Sequence, residues 1–199
     1  MYMNADPAQQ ITLDSVRESI AVKQALLADT ALLHRVGQAA EACCAAFRRE
    51  GKVLFCGNGG SAADAQHLAA ELSGRFYTDR PPLFAEALHV NGSYLTAVAN
   101  DYDYDTVYAR MVQAAGRKGD VLVAISTSGN SPNILRAIEA ARQRGMTVVG
   151  MTGASGGKMA GACDILLNVP STDTPRIQEA HILLGHVVCQ IIETSIFPK

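Results

Sequence analysis

His67 and Glu71 stand four residues apart, and Gln178, Glu179, His181 and His186 cluster on a later stretch. On a helix, a four-residue spacing puts the imidazole and the carboxylate on one face. Gln178 and His186 are eight apart, about two turns, and fall roughly on one side. Two imidazoles, a carboxylate and an amide oxygen make either a metal site or an acid/base set. Spacing alone does not choose between these. The neighbours of Glu71 are Leu68, Ala69, Ala70 and Leu72, which predicts a mostly buried helix and a carboxylate in need of a partner.

Two loops add a second kind of chemistry. Gly57, Gly59 and Gly60 permit a tight turn and close approach of backbone to a ligand. Ser61 is placed to cap the following helix, and a helix start behind a glycine turn seats an anion. The loop is neither a GxGxxG fingerprint nor a lysine-bearing P-loop. Ser126, Thr127, Ser128 and Ser131 put four hydroxyls within six residues. With exposed N–H groups they can hold a phosphate without lysine or arginine.

The elements that position these residues alternate. Val53–Cys56, Glu86–Val90, Val121–Ile125, Met146–Met151 and Ile165–Val169 read as strands. Helices are predicted near Ala62–Ser73, Tyr94–Ala99, Asp105–Ala115, Pro132–Arg144 and Thr174–Ser195. Asn100 and Asp101 read as a polar break. This order predicts an α/β fold, a three-layer α/β/α sandwich with a five-stranded parallel sheet. Both loops would lie at carboxyl ends of strands, where such sheets collect ligands. Residues 1–10 read as a flexible tail, and residues 51–199 as the sheet domain. Between them, 11–50 read as two helices packing on the domain and on a subunit interface: Leu13–Leu27 with Val16, Ile20, Leu26 and Leu27 on one face, then Thr30–Arg49 with Leu32, Leu33, Val36, Ala40 and Phe47 inward. The last helix is apolar nearly all round, which predicts a place in a subunit interface.

The 199 residues are 48% hydrophobic and 18% charged, as in a globular domain with a full core. A net charge of −2 argues against a nucleic-acid surface. No apolar run reaches a membrane span, and the first residues show no secretion signal. Five cysteines without CxxC spacing read as reduced buried thiols of a cytosolic protein.

Cys56–His67 (CGNGGSAADAQH), Ala70–Arg75 (AELSGR), Ala99–Asp101 (AND), Ser126–Ser131 (STSGNS), Thr152–Met159 (TGASGGKM) and Arg176–His186 (RIQEAHILLGH) resemble the sugar-isomerase (SIS) domain. Within it they resemble the bacterial phosphoheptose isomerases. The resemblance implies a flavodoxin-like fold and an aldose–ketose isomerase. Its reaction would turn D-sedoheptulose 7-phosphate into D-glycero-D-manno-heptose 7-phosphate through an enediol, the first step toward ADP-heptose and the lipopolysaccharide core. It implies a cytoplasmic homotetramer with active sites at subunit interfaces and one Zn2+ per subunit. By resemblance, His67, Glu71, Gln178 and His186 are the zinc ligands, and Glu71 and His186 the acid/base pair. Asn58, Gly59, Gly60, Glu71, Asn100, Asp101 and Gln178 are substrate contacts. Ser126, Thr127, Ser128 and Ser131 are the phosphate cradle, and Arg75 lies near the site. The alternative is a non-catalytic SIS-domain regulator that binds a replication initiator. Such relatives lack the glutamate and histidine that this chain has.

Overall fold

The computed structural model describes residues 6–198. Helix α1 (Pro7–Ala28) starts on Asp6, whose carboxylate accepts from the Ala8 amide, and Pro7 occupies the first turn. Residues 7–10, predicted as tail, therefore form the first turn of α1; residues 1–5 lie outside the described residues. Asp29 starts α2 (Thr30–Phe47) by accepting from the Leu32 amide at 2.8 Å.

The alternating units follow: β1 (Val53–Gly57), α3 (Gly60–Ser73), β2 (Ala85–Ala87), α4 (Gly92–Asp101), a 3-10 turn at Tyr104–Thr106, α5 (Val107–Ala115), β3 (Val121–Ile125), α6 (Pro132–Gln143), β4 (Thr147–Thr152), β5 (Ile165–Asn168) and α7 (Thr174–Ile196). Asn100 and Asp101, predicted as a break, are the last turn of α4, which Asn91 caps at its start and the Tyr102 amide closes on the Val98 carbonyl.

All five strands are parallel, in the order β2-β1-β3-β4-β5. Alternate strand residues feed two cores. Val53, Phe55, Val121, Val123 and Ile125 face α2, α3 and α7. Leu54, Cys56, Leu122, Ala124 and Val148 face α5 and α6. The sheet is thus covered on both sides, which explains its unbroken apolar strands.

Helix α7 lies largely inside this single chain. Ile177, Ala180, Leu184, Cys189 and Ile192 are buried, and Ile182, Val187, Val188, Ile191 and Ile196 pack partly against the same core. Much of its apolar circumference is met by the sheet, α2 and α3, while Leu183 stays 39% exposed. Further uncovered apolar surface lies on α1. Of the residues predicted to share one face there, Leu26 is buried while Val16, Ile20 and Leu27 are half-exposed or more. Leu33 of α2 is likewise exposed. Arg35 ties α2 to the Leu166 carbonyl of β5 at 2.9 Å, Arg48 reaches the Ser195 carbonyl of α7, and Arg176 donates to the Ser15 carbonyl of α1. Among the described residues no helix is long and apolar enough to cross a membrane. The five cysteines are unpaired, four of them buried, and burial pushes the Cys163 and Cys189 thiols up to about 12.

Helices α3 and α7 run side by side in step. Gln178 lies over Gly60, and Gly185 faces Leu68. A β-carbon on residue 185 would come within 2.5 Å of Leu68 Cδ1. Further back on α7, His181 is fully buried, with Nε2 at 3.1 Å from the Thr152 carbonyl at the end of β4. That contact makes Nε2–H the donor, and burial favours the neutral ring.

Two expectations follow. Gly185→Val should lose about 2 kcal/mol of stability, since overpacking costs roughly 1–3 kcal/mol; the urea midpoint should fall with an unchanged m-value. Burial pushes the His181 imidazole down from 6.5 to about 4, its bond to Thr152 pulling weakly the other way. Between those values the unfolded chain binds a proton that the folded chain refuses. Stability on this account is full above the upper value and falls as pH drops through the window, by about 3 kcal/mol in all. Urea titrations at pH 7 and 4.5 should show a smaller acid loss in His181→Gln than in the parent chain.

Candidate active site

The sheet order reverses between β1 and β3, and ligands of open parallel sheets settle at that crevice. Gly57 pairs with Ile125, so the two loops leave the sheet at one level. Gly59 holds a left-handed φ of 55°, with open space around the position a side chain would take. It, not Ser61, caps α3; Ser61 is drawn inside the helix and buried. The turn closes tightly there: a β-carbon on residue 57 would come within 2.4 Å of the Ser61 carbonyl oxygen.

Between the loops lies an open cavity of about 330 Å³. Asn58, Gly59, Gly60, Ser126, Thr127, Ser131, Thr174 and Gln178 line it, and none of its lining residues carries a charge. Three helix starts, those of α3, α6 and α7, open onto it. Helix N-termini and hydroxyls suit a phosphate in such a place. Ser126 and Ser131 hydroxyls meet at 3.0 Å. Ser128 is exposed; its Oγ accepts from the Asn130 amide at 3.2 Å and lies 3.5 Å from the Ser126 hydroxyl.

Three residues hold this cavity's wall in place and carried no motif signal. Asn133, buried behind Pro132, pairs amide to amide with Asn58 at 2.8 and 2.9 Å. Tyr104 Oη donates to Asn58 Oδ1 at 3.2 Å. Tyr108 Oη donates to the Gly57 carbonyl. Their sequence contexts are those of an ordinary helix start and an ordinary aromatic pair.

Further along α3 and α7 stands the second cluster. His67 Nε2 lies 3.0 Å from Glu71 Oε1 and 3.2 Å from His186 Nε2. The three ligand atoms fall within 4.8 Å of one another. The helix is less buried here than its sequence predicts: His67 is half-exposed and the Glu71 side chain is 24% exposed. His67 reaches across from α3 to His186 of α7, at the partly open rim of that contact. Phe76 stacks on His186 with centroids 5.7 Å apart. Asp64, one turn before His67, has a buried Oδ2 without a hydrogen-bond partner, and burial raises its carboxyl against the pull of His67.

The donor set fits a zinc ion. Ligands at about 2.0–2.1 Å in a tetrahedral arrangement lie about 3.3 Å apart, close to the two spacings seen. Two histidines and one carboxylate also leave a fourth position open, as in catalytic zinc sites. One Nε2 cannot both donate to Glu71 and accept from His186, a conflict that a shared cation removes.

The other predicted residues are placed elsewhere. Gln178 sits two turns before His186, its amide against Gly60 in the first cavity rather than beside the three ligand atoms. Glu179 pairs with Arg176 at 2.7 Å, and His181 is spent on Thr152, so neither is a partner for Glu71. Asn100 and Asp101 are exposed at the end of α4, bonded to each other at 3.0 Å and off the cavity's lining. Arg75 is exposed in the loop after α3.

The family model described as SIS domain matches residues 19–153. A phosphoheptose isomerase of Burkholderia pseudomallei is 55% identical over 186 residues, 94% of each chain. The structure of a phosphoheptose isomerase from Neisseria gonorrhoeae superposes with a TM-score of 0.88 at 47% identity, covering 94% of this chain and 99% of that one. One from Francisella tularensis gives a TM-score of 0.91 at 38% identity over 95% and 100% of the two chains.

Proposed function

We infer the activity from one premise: the chain belongs to the SIS-domain family and, within it, to the phosphoheptose isomerases. It is an aldose–ketose isomerase that interconverts D-sedoheptulose 7-phosphate and D-glycero-D-manno-heptose 7-phosphate. The observation that carries this reading is the 55% identity over 94% of the chain, joined to a carboxylate and two imidazoles in mutual reach. The regulatory alternative is not favoured, because Glu71 and His186 are both present and face the same point.

The uncharged cavity between β1 and β3 binds the phosphate through helix starts and the hydroxyls of Ser126, Thr127, Ser128 and Ser131. Remote binding of that kind orients the reacting end. Glu71 removes a proton from C1 of the ketose while O2 gains one, giving the enediol. The same carboxyl returns the proton to C2 as O1 loses its own. His186 moves the proton between O1 and O2. Ring stacking on Phe76 fixes the plane in which it does so. His67, Glu71 and His186 would hold a zinc ion, which when bound supplies a Lewis acid for the polarised carbonyl. Gln178, facing the first cavity, contacts the sugar.

The working particle is a homotetramer in the cytoplasm, serving the first step toward ADP-heptose. The apolar stripe of α1, with Ile11 68% and Leu27 75% exposed, supports an assembly that covers it.

Purified protein given sedoheptulose 7-phosphate should produce the aldose signals by NMR, and a chelator should test the metal. No conversion by intact, metal-loaded protein would sink the assignment. Glu71→Gln should abolish turnover with the fold unchanged. Ser131→Ala, whose hydroxyl makes no helix-capping bond, should raise KM about tenfold and leave kcat near its starting value.

A further inference from the structure

Past the Glu71 turn of α3, a buried ion pair joins the two helices that bear the reactive cluster. Arg80 and Glu193 have side chains only 2% and 6% exposed, and Arg80 Nε meets Glu193 Oε1 at 3.2 Å. Arg80 spends its other donors on α3. Nη2 donates to the Glu71 carbonyl and Nη1 to the Leu72 carbonyl, each at 2.7 Å. These carbonyls belong to the last turn of α3, which has no amides of its own to satisfy them. A cation there also complements the helix dipole.

Glu193 completes the tie from the other side. Its second oxygen accepts from the Tyr77 and Thr78 amides at 3.1 and 3.2 Å. Those residues follow Phe76, which stacks on His186. One ion pair thus fixes three things: the turn of α3 that bears Glu71, the loop that bears Phe76, and the end of α7 seven residues beyond His186. Only a planar fork with five donors meets this set at once; a lysine ammonium cannot.

We propose that Arg80 and Glu193 are positioning residues for the isomerase reaction, holding Glu71 and His186 at working distance from opposite helices. The kinetic part rests on the isomerase reading; the geometric part does not. The phosphate cavity lies at the other end of both helices, so the pair should govern the chemical step and leave substrate capture alone.

The test compares Glu193→Gln, Arg80→Lys and Arg80→Met with the parent, using full-length protein well below each variant's unfolding temperature. Kinetics with sedoheptulose 7-phosphate and nitrogen-15 NMR of the His67 and His186 rings are both read. Displacements near 1 Å cost about a hundredfold in rate. Glu193→Gln should lower kcat tenfold to a hundredfold, keep KM within about twofold, and shift the His186 ring signals. Arg80→Lys should fall close to Arg80→Met, showing that the fork and not the charge matters. Should Arg80→Met fail to fold, the near-isosteric Glu193→Gln still decides. Unchanged kcat and ring signals in a folded Glu193→Gln, or parental kcat in Arg80→Lys, would overturn the proposal. If the parent itself shows no turnover, the isomerase reading fails, and the ring signals alone decide the positioning.

Discussion

Leu68 occupies the space that a β-carbon on residue 185 would need, and this contact decides how near α3 and α7 lie. The two helices come from distant parts of the chain, yet they run parallel in a constant register. Gln178 falls on Gly60 and His186 on His67 as a result. Every residue with chemistry on these helices inherits its neighbour from that register. A shift of one turn, about 5.4 Å, would separate the imidazoles altogether.

The other half of the site uses no formal charge. Three helix starts and a set of hydroxyls face one cavity where the strand order reverses. Fixed backbone dipoles require no ordering of long side chains when a phosphate arrives, unlike lysine or arginine. The amide pair of Asn58 and Asn133 and the phenols of Tyr104 and Tyr108 hold the glycine turn in shape. Rigidity in the wall substitutes for charge in the pocket.

Much of this was legible from residue order. Strands β1 and β3 and the N-terminus of α6 carry strong local signals, and both loops fall where the fold needs them. The pairing of His67 with Glu71 follows from helical spacing alone. The failures share a cause. Glycine turns before α3 displaced the cap from Ser61, and exposure of Glu71 depends on which edge of α3 meets α7. Arg80 sits in an Asp-Arg-Pro-Pro stretch that reads as a breaker, and its bonds to Glu193, Glu71 and Leu72 exist only once the fold brings these together. Helix α1 has an apolar face that the chain covers at Leu26 but leaves open at Val16, Ile20 and Leu27.

The packing of α2 against α7 has a consequence for how the protein is made. Helix α2 precedes all five strands and α7 follows them, yet the two share one core. A nascent chain therefore carries α2 without its α7 partner until the last helix is made. Loop-closure entropy of this size delays the final step and makes the half-built chain prone to sticking.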